Sequence, residues 1–488
     1  MKKFLSLALL ISFSSLIGGC VGSQQYRKYI SYNLSDCYFY LNYAPTSKEN
    51  STSRHCSIQK NIMPNRATGP VRDRYYLSFI EIDENPSRLF DSKQVESTID
   101  LINSKNNVFV IVYIHGWRHN ADVADSDIQK FRTLLAYSRE FLNQRPGIDG
   151  SETELIGIYV GWRGRTQSKL LNSVLFAPTV WSRKTKSDEH ASLLIDTLRQ
   201  IESTTITRSD KSAHRKMLTY GHSFGGNMLL TGLLNEEKVI SQIADHSHGR
   251  QFPRTLGDLV LLINPASEAS KWIAIQEAMN ERVDAELSRG RSERLARRRL
   301  FPLEQKPRMI AMTATCDWSE GELKRKKSAR CDSATDFFFP MAWFFKNKRD
   351  KTAVGHYKPN YEPGEIYSRT DPYGASHEII LNYSAGKQTS LSNVNKKDLT
   401  KCDVANGWLL RAREIPELWD SGSNKRVQFR RGLSLPGGGG GTKRSIVPYN
   451  SPFWNARVLN AVENHGDYVS YPTWCAVNQL VLDDVTAK

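Results

Sequence analysis

The sequence predicts an α/β protein with a mainly parallel sheet covered by helices on both faces, and two observations carry that expectation. The first is a series of short apolar runs between Arg74 and Asp317: YYLSFIEI, VFVIVYIHG, ELIGIYVGW, KMLTYGHS, DLVLLINPA and PRMIAMTAT. They are continuous rather than alternating, as in strands buried on both faces. The second is what lies between them, for stretches such as Ser187–Ile201 and Gly226–Leu234 carry apolar residues at helical spacing. Strands that alternate with helices need crossover connections, and those generate parallel sheets.

The alternation organises the rest of the chain. Residues 74–317 form the core, and residues 318–450 interrupt the pattern with Lys clusters, an aromatic block from Phe337 to Phe345 and five glycines at 437–441. That interval is expected to be an inserted cap or loop region with a flexible hinge. Periodicity returns over 451–488, which completes the core. Residues 272–300 are expected to form one long helix with a solvated polar face. A composition of 39% hydrophobic and 24% charged residues is that of a globular protein and excludes wholesale disorder.

At the N-terminus Lys2 and Lys3 precede an apolar run from Phe4 to Ile17 and then Gly18-Gly19-Cys20. This is a charged region, an apolar region and a small-residue cleavage site, too short for the roughly 18–20 apolar residues of a spanning helix. Leu16-Ile17-Gly18-Gly19-Cys20 resembles a bacterial lipobox, which makes residues 1–19 a lipoprotein signal peptide and Cys20 the lipidated first residue. Residues 20–73 then read as tether and N-terminal extension. Acyl chains on Cys20 would hold the protein at a membrane of the cell envelope. Val21, where an aspartate would favour retention, points to the outer membrane in a Gram-negative cell.

The excess of 67 basic over 51 acidic residues, +16, suits an anionic neighbour. No nucleic-acid motif accompanies the charge, and an envelope location separates the protein from most nucleic acid, so a lipid surface is the partner expected. Cys20 apart, six cysteines remain, an even number that favours disulfides in an exported chain. The pairing favoured joins sequence neighbours: Cys37–Cys56, Cys316–Cys331 and Cys402–Cys475. No CxxC pair suggests a metal or redox motif. His115 and His119 have H-x3-H spacing, but Gly116 and the strand end between them argue against a helical metal pair.

The chemistry is expected around Gly221-His222-Ser223-Phe224-Gly225. A strand reads into this pentapeptide and a helix reads out of it, the context in which G-x-S-x-G forms a nucleophile elbow. The strand VFVIVYIHG ends at His115-Gly116, where backbone N–H groups can face a developing oxyanion. The donors expected are those of Trp117 and Phe224. A nucleophilic serine needs a base, and the base an orienting carboxylate, in the chain order Ser, acid, His. Asp317 stands directly behind PRMIAMTATC; Glu268, behind LVLLINPAS, is the alternative acid. His465, on the Gly-containing loop of VLNAVENHGDYV, is the base expected, with His356 and His377 assigned structural roles.

With these residues the chain resembles the α/β-hydrolase superfamily, and within it a group of bacterial esterase-like proteins with an HG-type oxyanion strand and a C-terminal histidine loop. The resemblance covers roughly 74–317 and 451–488. It implies the α/β-hydrolase fold, with Ser223 as nucleophile, His465 as base, Asp317 as orienter and no cofactor. Arg118 beside the oxyanion turn and the long insertion depart from the pattern and leave the substrate class open. The activity implied is cleavage of carboxylic or lipid esters. The rival is a hydrolase-fold lipoprotein without activity that binds or builds in the envelope. Oligomeric state has no signature here.

Overall fold

The computed structural model describes residues 23–30, 37–40, 55–63, 74–144, 153–165, 176–206 and 214–314, the last without 293–294, 297–298 and 303. It further describes 353–354, 377–383, 408–414, 417–420, 425–428, 432–433, 443–444, 451–459, 462 and 465–482. Asp317, His356, Cys20, Cys316, Cys331 and Cys402 lie outside the described residues, as do the aromatic block and the five glycines.

The strands are β1 (Tyr38–Tyr40), β2 (Ile58–Ile62), β3 (Arg74–Glu81), β4 (Asn107–Ile114), β5 (Thr153–Gly161), β6 (Arg215–His222), β7 (Leu259–Ile263) and β8 (Met309–Ala314). They continue with β9 (His377–Tyr383), β10 (Trp408–Glu414) and, after two short ribbons, β15 (Phe453–Leu459). The ribbons pair β11 (Glu417–Asp420) with β12 (Lys425–Gln428), and β13 (Gly432–Leu433) with β14 (Lys443–Arg444).

One sheet holds eleven strands in the order β1-β2-β3-β5-β4-β6-β7-β8-β15-β9-β10. From β3 to β9 every neighbouring pair is parallel, and antiparallel pairs occur only at the margins, β2 on β3 and β10 on β9. The mainly parallel α/β architecture expected from the apolar runs is therefore present.

The helices are α1 (Lys93–Asn103), α2 (Ser126–Gln144), α3 (Phe176–Glu189), α4 (Ala191–Ile206), α5 (Phe224–Asn235), α6 (Val239–Asp245), α7 (Ala269–Ser288) and α8 (Tyr471–Leu482). Strand β4 shows why both faces need cover. Its Val108, Val110, Val112 and Ile114 point into one core with residues of α1, α4, α5 and α7, and its Phe109, Ile111 and Tyr113 into the other with α2 and α8. Side chains alternate across a strand, so an apolar run without alternation feeds two cores at once.

Three stretches differ from the sequence reading. Residues 318–450, expected as an inserted cap or loop region, supply β9 and β10 to the main sheet beside β15. Residues 20–73 supply more than a tether: β1 and β2 extend the sheet, and Cys37 and Cys56 are disulfide-bonded across 19 residues. Closing a loop of that size contributes about 3 kcal/mol by restricting the unfolded chain. The long helix expected over 272–300 stops at Ser288, because Gly290 takes φ +76° and its N–H turns back to the Leu287 carbonyl. One face is exposed, with Glu281, Asp284 and Ser288, and the other buries Trp272, Ile275, Met279 and Val283. His377 opens β9 and is buried with its ring stacked on Trp454, 4.6 Å between centroids, a structural histidine as its sequence context suggested. Cys475 in α8 is disulfide-bonded, and its expected partner Cys402 is outside the described residues.

Candidate active site

Ser223 sits between β6 and α5, near the middle of the parallel sheet, with φ 55° and ψ −118°. A non-glycine residue there costs about 1–3 kcal/mol and persists only where its surroundings over-determine it. The surroundings do. The Ser223 N–H donates to the Ile263 carbonyl of β7 (3.2 Å), and its own carbonyl accepts from Ala266 N (3.0 Å) and Asn227 N (3.1 Å). The glycines of the pentapeptide answer to close backbone approach. A Cβ on Gly221 would lie 2.6 Å from the Gly225 carbonyl group, and a Cβ on Gly225 would run into the Ile114 carbonyl oxygen. The strand-to-helix turn is thus packed too tightly for a side chain on either flank. Ser223 itself is 5% exposed.

The turn after β4 lies against this elbow. A Cβ on Gly116 would stand 3.0 Å from Ser223 Cβ, so His115-Gly116-Trp117 borders the serine as the sequence suggested. The next residue, Arg118, has φ 71°, and its N–H donates to the Gly164 carbonyl (3.0 Å). Arg118 stacks over the Trp117 ring at 4.2 Å. Phe224 opens α5, and the first N–H groups of a helix find no acceptor within their own helix. The Gly116 turn and the start of α5 thus both adjoin Ser223.

His115 is wholly buried and holds the turn rather than the chemistry. Its Nε2 accepts from Trp162 N–H (3.1 Å), so Nδ1 carries the proton and donates to the Gly116 carbonyl (2.8 Å). Burial lowers its pKa to about 3, the neighbouring His119 adding to the effect. The unfolded chain takes up this proton below about pH 6.5 and the native state refuses it, so stability falls as pH drops through that value toward the folded one. Between pH 7 and pH 5 the loss from this residue is about 2 kcal/mol. Urea unfolding of His115→Asn at the two pH values should show a smaller acid loss than wild type by that order, and equal losses would refute the assignment.

His465 lies on the loop between β15 and α8, half-buried. Its carbonyl accepts from His222 Nε2 (2.8 Å) and from Asn264 Nδ2 (3.3 Å). The rings of His222 and His465 are 4.8 Å apart, and Tyr468 stacks on His222 at 4.0 Å. The residue before the serine therefore grips the loop that bears the histidine, and Ser223 and His465 lie at the same end of the sheet, linked through His222. Tyr468 is anchored in turn, its hydroxyl donating to the buried Asp127 at the start of α2.

The two candidate acids fare differently. Asp317 follows β8 by three residues but lies outside the described residues. Glu268 caps α7 and is bound to Lys184 (2.8 Å) and Lys271 (3.1 Å). Burial opposes its charge, yet the two lysines outweigh burial and hold its carboxyl below the ordinary range. Lys184 and Lys271 also bind Asp188, so Glu268 belongs to a compact ion cluster between α3, α5 and α7. Among the described residues, no histidine takes part in that cluster's bonds.

Sequence reading missed Asn264, His222, Tyr468 and Asp127. Asn264 has φ 45° just beyond β7, and its Oδ1 accepts from Ala314 N (2.9 Å) at the end of β8. It therefore links the ends of two strands to the His465 loop. A polar Asn directly after an apolar run, in LVLLINPA, was the available signal. His119 pairs with Asp125 (2.8 Å); burial works against its charge, but Asp127 and Asp125 prevail and raise its pKa. That bond takes His119 Nδ1 and His115 has spent both ring nitrogens, so the H-x3-H spacing serves other ends. Among the described residues no group of three or more His, Cys, Asp or Glu is gathered to hold a metal ion. In comparisons with protein-family models, curated proteins and solved structures, the chain gives no match.

Proposed function

We propose that this protein is a lipid-anchored serine hydrolase that cleaves carboxylic esters through an acyl-enzyme on Ser223, on a fold of the α/β-hydrolase kind. The observation that carries the reading is the backbone of Ser223, strained at φ 55° in a strand-to-helix turn whose flanking glycines admit no side chain. Ligands of open parallel sheets bind beyond the carboxyl ends of the strands, and that is the end where Ser223, Gly116, Asn264 and His465 lie.

In this reading His465 takes the Ser223 Oγ proton as Oγ attacks the ester carbonyl. The oxyanion receives the N–H groups of Trp117 and Phe224. The C–O bond to the alcohol breaks, and the alcohol departs with the proton from His465. Water repeats the sequence on the acyl-enzyme, releasing the carboxylic acid and restoring Ser223. Asp317 would orient His465, since the carboxylate of Glu268 is occupied by two lysines. The acyl chains on Cys20 would supply the anchor, and no helix among the described residues is long and apolar enough to cross a membrane.

A fluorophosphonate probe reacts only with an activated serine. The intact protein should be labelled, and the modified peptide should contain Ser223. Label on another serine, or none, would refute the reading.

A further inference from the structure

The segment Ser23–Ile30 is fastened to the same end of the sheet as Ser223. Glu81, the last residue of β3, is buried, and its two carboxylate oxygens accept from the backbone N–H groups of Tyr26 and Arg27, both at 2.8 Å. Gln94 closes the clamp, donating to the Arg27 carbonyl (3.0 Å) and to Glu81 (3.1 Å). The buried Arg27 lies 3.9 Å over the Phe79 ring and donates to the Ala121 carbonyl (3.1 Å). Asn120 donates to the Tyr26 hydroxyl (3.1 Å), and Ser23 donates to Asp83 (3.3 Å). Asn120 and Ala121 belong to the loop that leaves β4 through Gly116, the residue against Ser223.

We propose that this clamp turns the Ser223 end of the sheet toward the membrane, so that the ester cleaved is one presented at a lipid surface. The inference rests on the lipidated Cys20 and the hydrolase reading above. Ser23 follows Cys20 by three residues, a leash that spans at most about 11 Å when fully extended. Strand β4 has eight residues, so the opposite edge of the sheet stands about 26 Å away. A leash that short, leaving from a buried clamp, brings the carboxyl ends of the strands to the bilayer and leaves their amino ends in water. An anchor on a long free tether would impose no orientation.

The test uses the full lipidated protein in phosphatidylethanolamine–phosphatidylglycerol vesicles. A fluorescent amino acid is placed either at Ala124, exposed on the loop after β4, or at Asn106, exposed at the opposite edge, and brominated lipids are added as quencher. Quenching at Ala124 should exceed that at Asn106 several-fold; equal or reversed quenching overturns the orientation, as does failure to float with the vesicles. In a second arm, twenty Gly/Ser residues inserted between Cys20 and Ser23 add an average reach of about 25 Å. Hydrolysis of a soluble p-nitrophenyl ester should stay within about twofold, while hydrolysis of an ester embedded in the vesicle should fall at least about fivefold. An unchanged vesicle rate overturns the substrate class. Wild-type protein that hydrolyses neither ester sinks the hydrolase reading and the substrate class with it, and the quenching comparison still decides the orientation.

Discussion

Ser223→Ala is expected to lower hydrolysis of p-nitrophenyl esters at least about a thousandfold, equivalent to about 4 kcal/mol of barrier, and to end fluorophosphonate labelling. Stability should change by less than about 1 kcal/mol, because the substitution removes one hydroxyl from a site where alanine meets the same backbone strain as serine. Ser223→Gly separates the two consequences. It also removes the nucleophile, but glycine adopts φ 55° without penalty, so this variant should unfold at higher urea than Ser223→Ala, by about 1 kcal/mol. A strained residue kept where glycine would be more stable is the pattern expected when the side chain is needed and its conformation sustained by neighbours. Activity of Ser223→Ala within about tenfold of wild type would remove the assignment. An unchanged urea midpoint between the two variants would show instead that the turn is unstrained.

Much of this arrangement is legible in sequence because backbone geometry writes it there. Val108 to Ile114 form an unbroken apolar run since each side chain enters one core or the other, and no polar position is tolerated. Gly221 and Gly225 are small because carbonyl groups occupy the space of their missing Cβ atoms. The order of strand, serine and helix follows from those two facts. What the sequence withholds is the long-range part. That His222 rather than a neutral spacer stands beside Ser223 becomes meaningful only when its Nε2 reaches the carbonyl of His465, 243 residues away. The Tyr468–Asp127 bond joins residues 341 apart, and neither residue belongs to a local motif. Glu268 looked like an acid behind a strand, and its lysines came from helices that the strand pattern cannot locate. The N-terminal extension was illegible for a related reason. Its strand β2 buries Gln59 and Asn61, which accept hydrogen bonds from the buried Arg132, so the apolar pattern that marks a strand is missing, and a disulfide supplies part of what an apolar core would otherwise give.

The base gives the second large effect. His465→Ala should reduce kcat/KM at least about a thousandfold and abolish the acid limb of its pH profile, since the ring that must be neutral to accept the serine proton is gone. His222→Phe supplies the necessary contrast. It keeps a ring to stack on Tyr468 but loses the hydrogen bond to the His465 carbonyl, so the loop retains its base and loses part of its grip. A loss of roughly tenfold with the acid limb intact is expected, because misplacing a catalytic group costs rate without changing which group titrates. The acid follows the same logic. Asp317→Asn should cost orders of magnitude by presenting the imidazole in the wrong tautomer, whereas Glu268→Gln should spare kcat and lower stability by breaking its bonds to Lys184 and Lys271. If Glu268→Gln instead proved the more damaging to kcat, the orienting carboxylate would be Glu268. If His465→Ala kept both its rate and its acid limb, the His222 bond would be a purely structural latch, and the base for Ser223 would have to be another histidine.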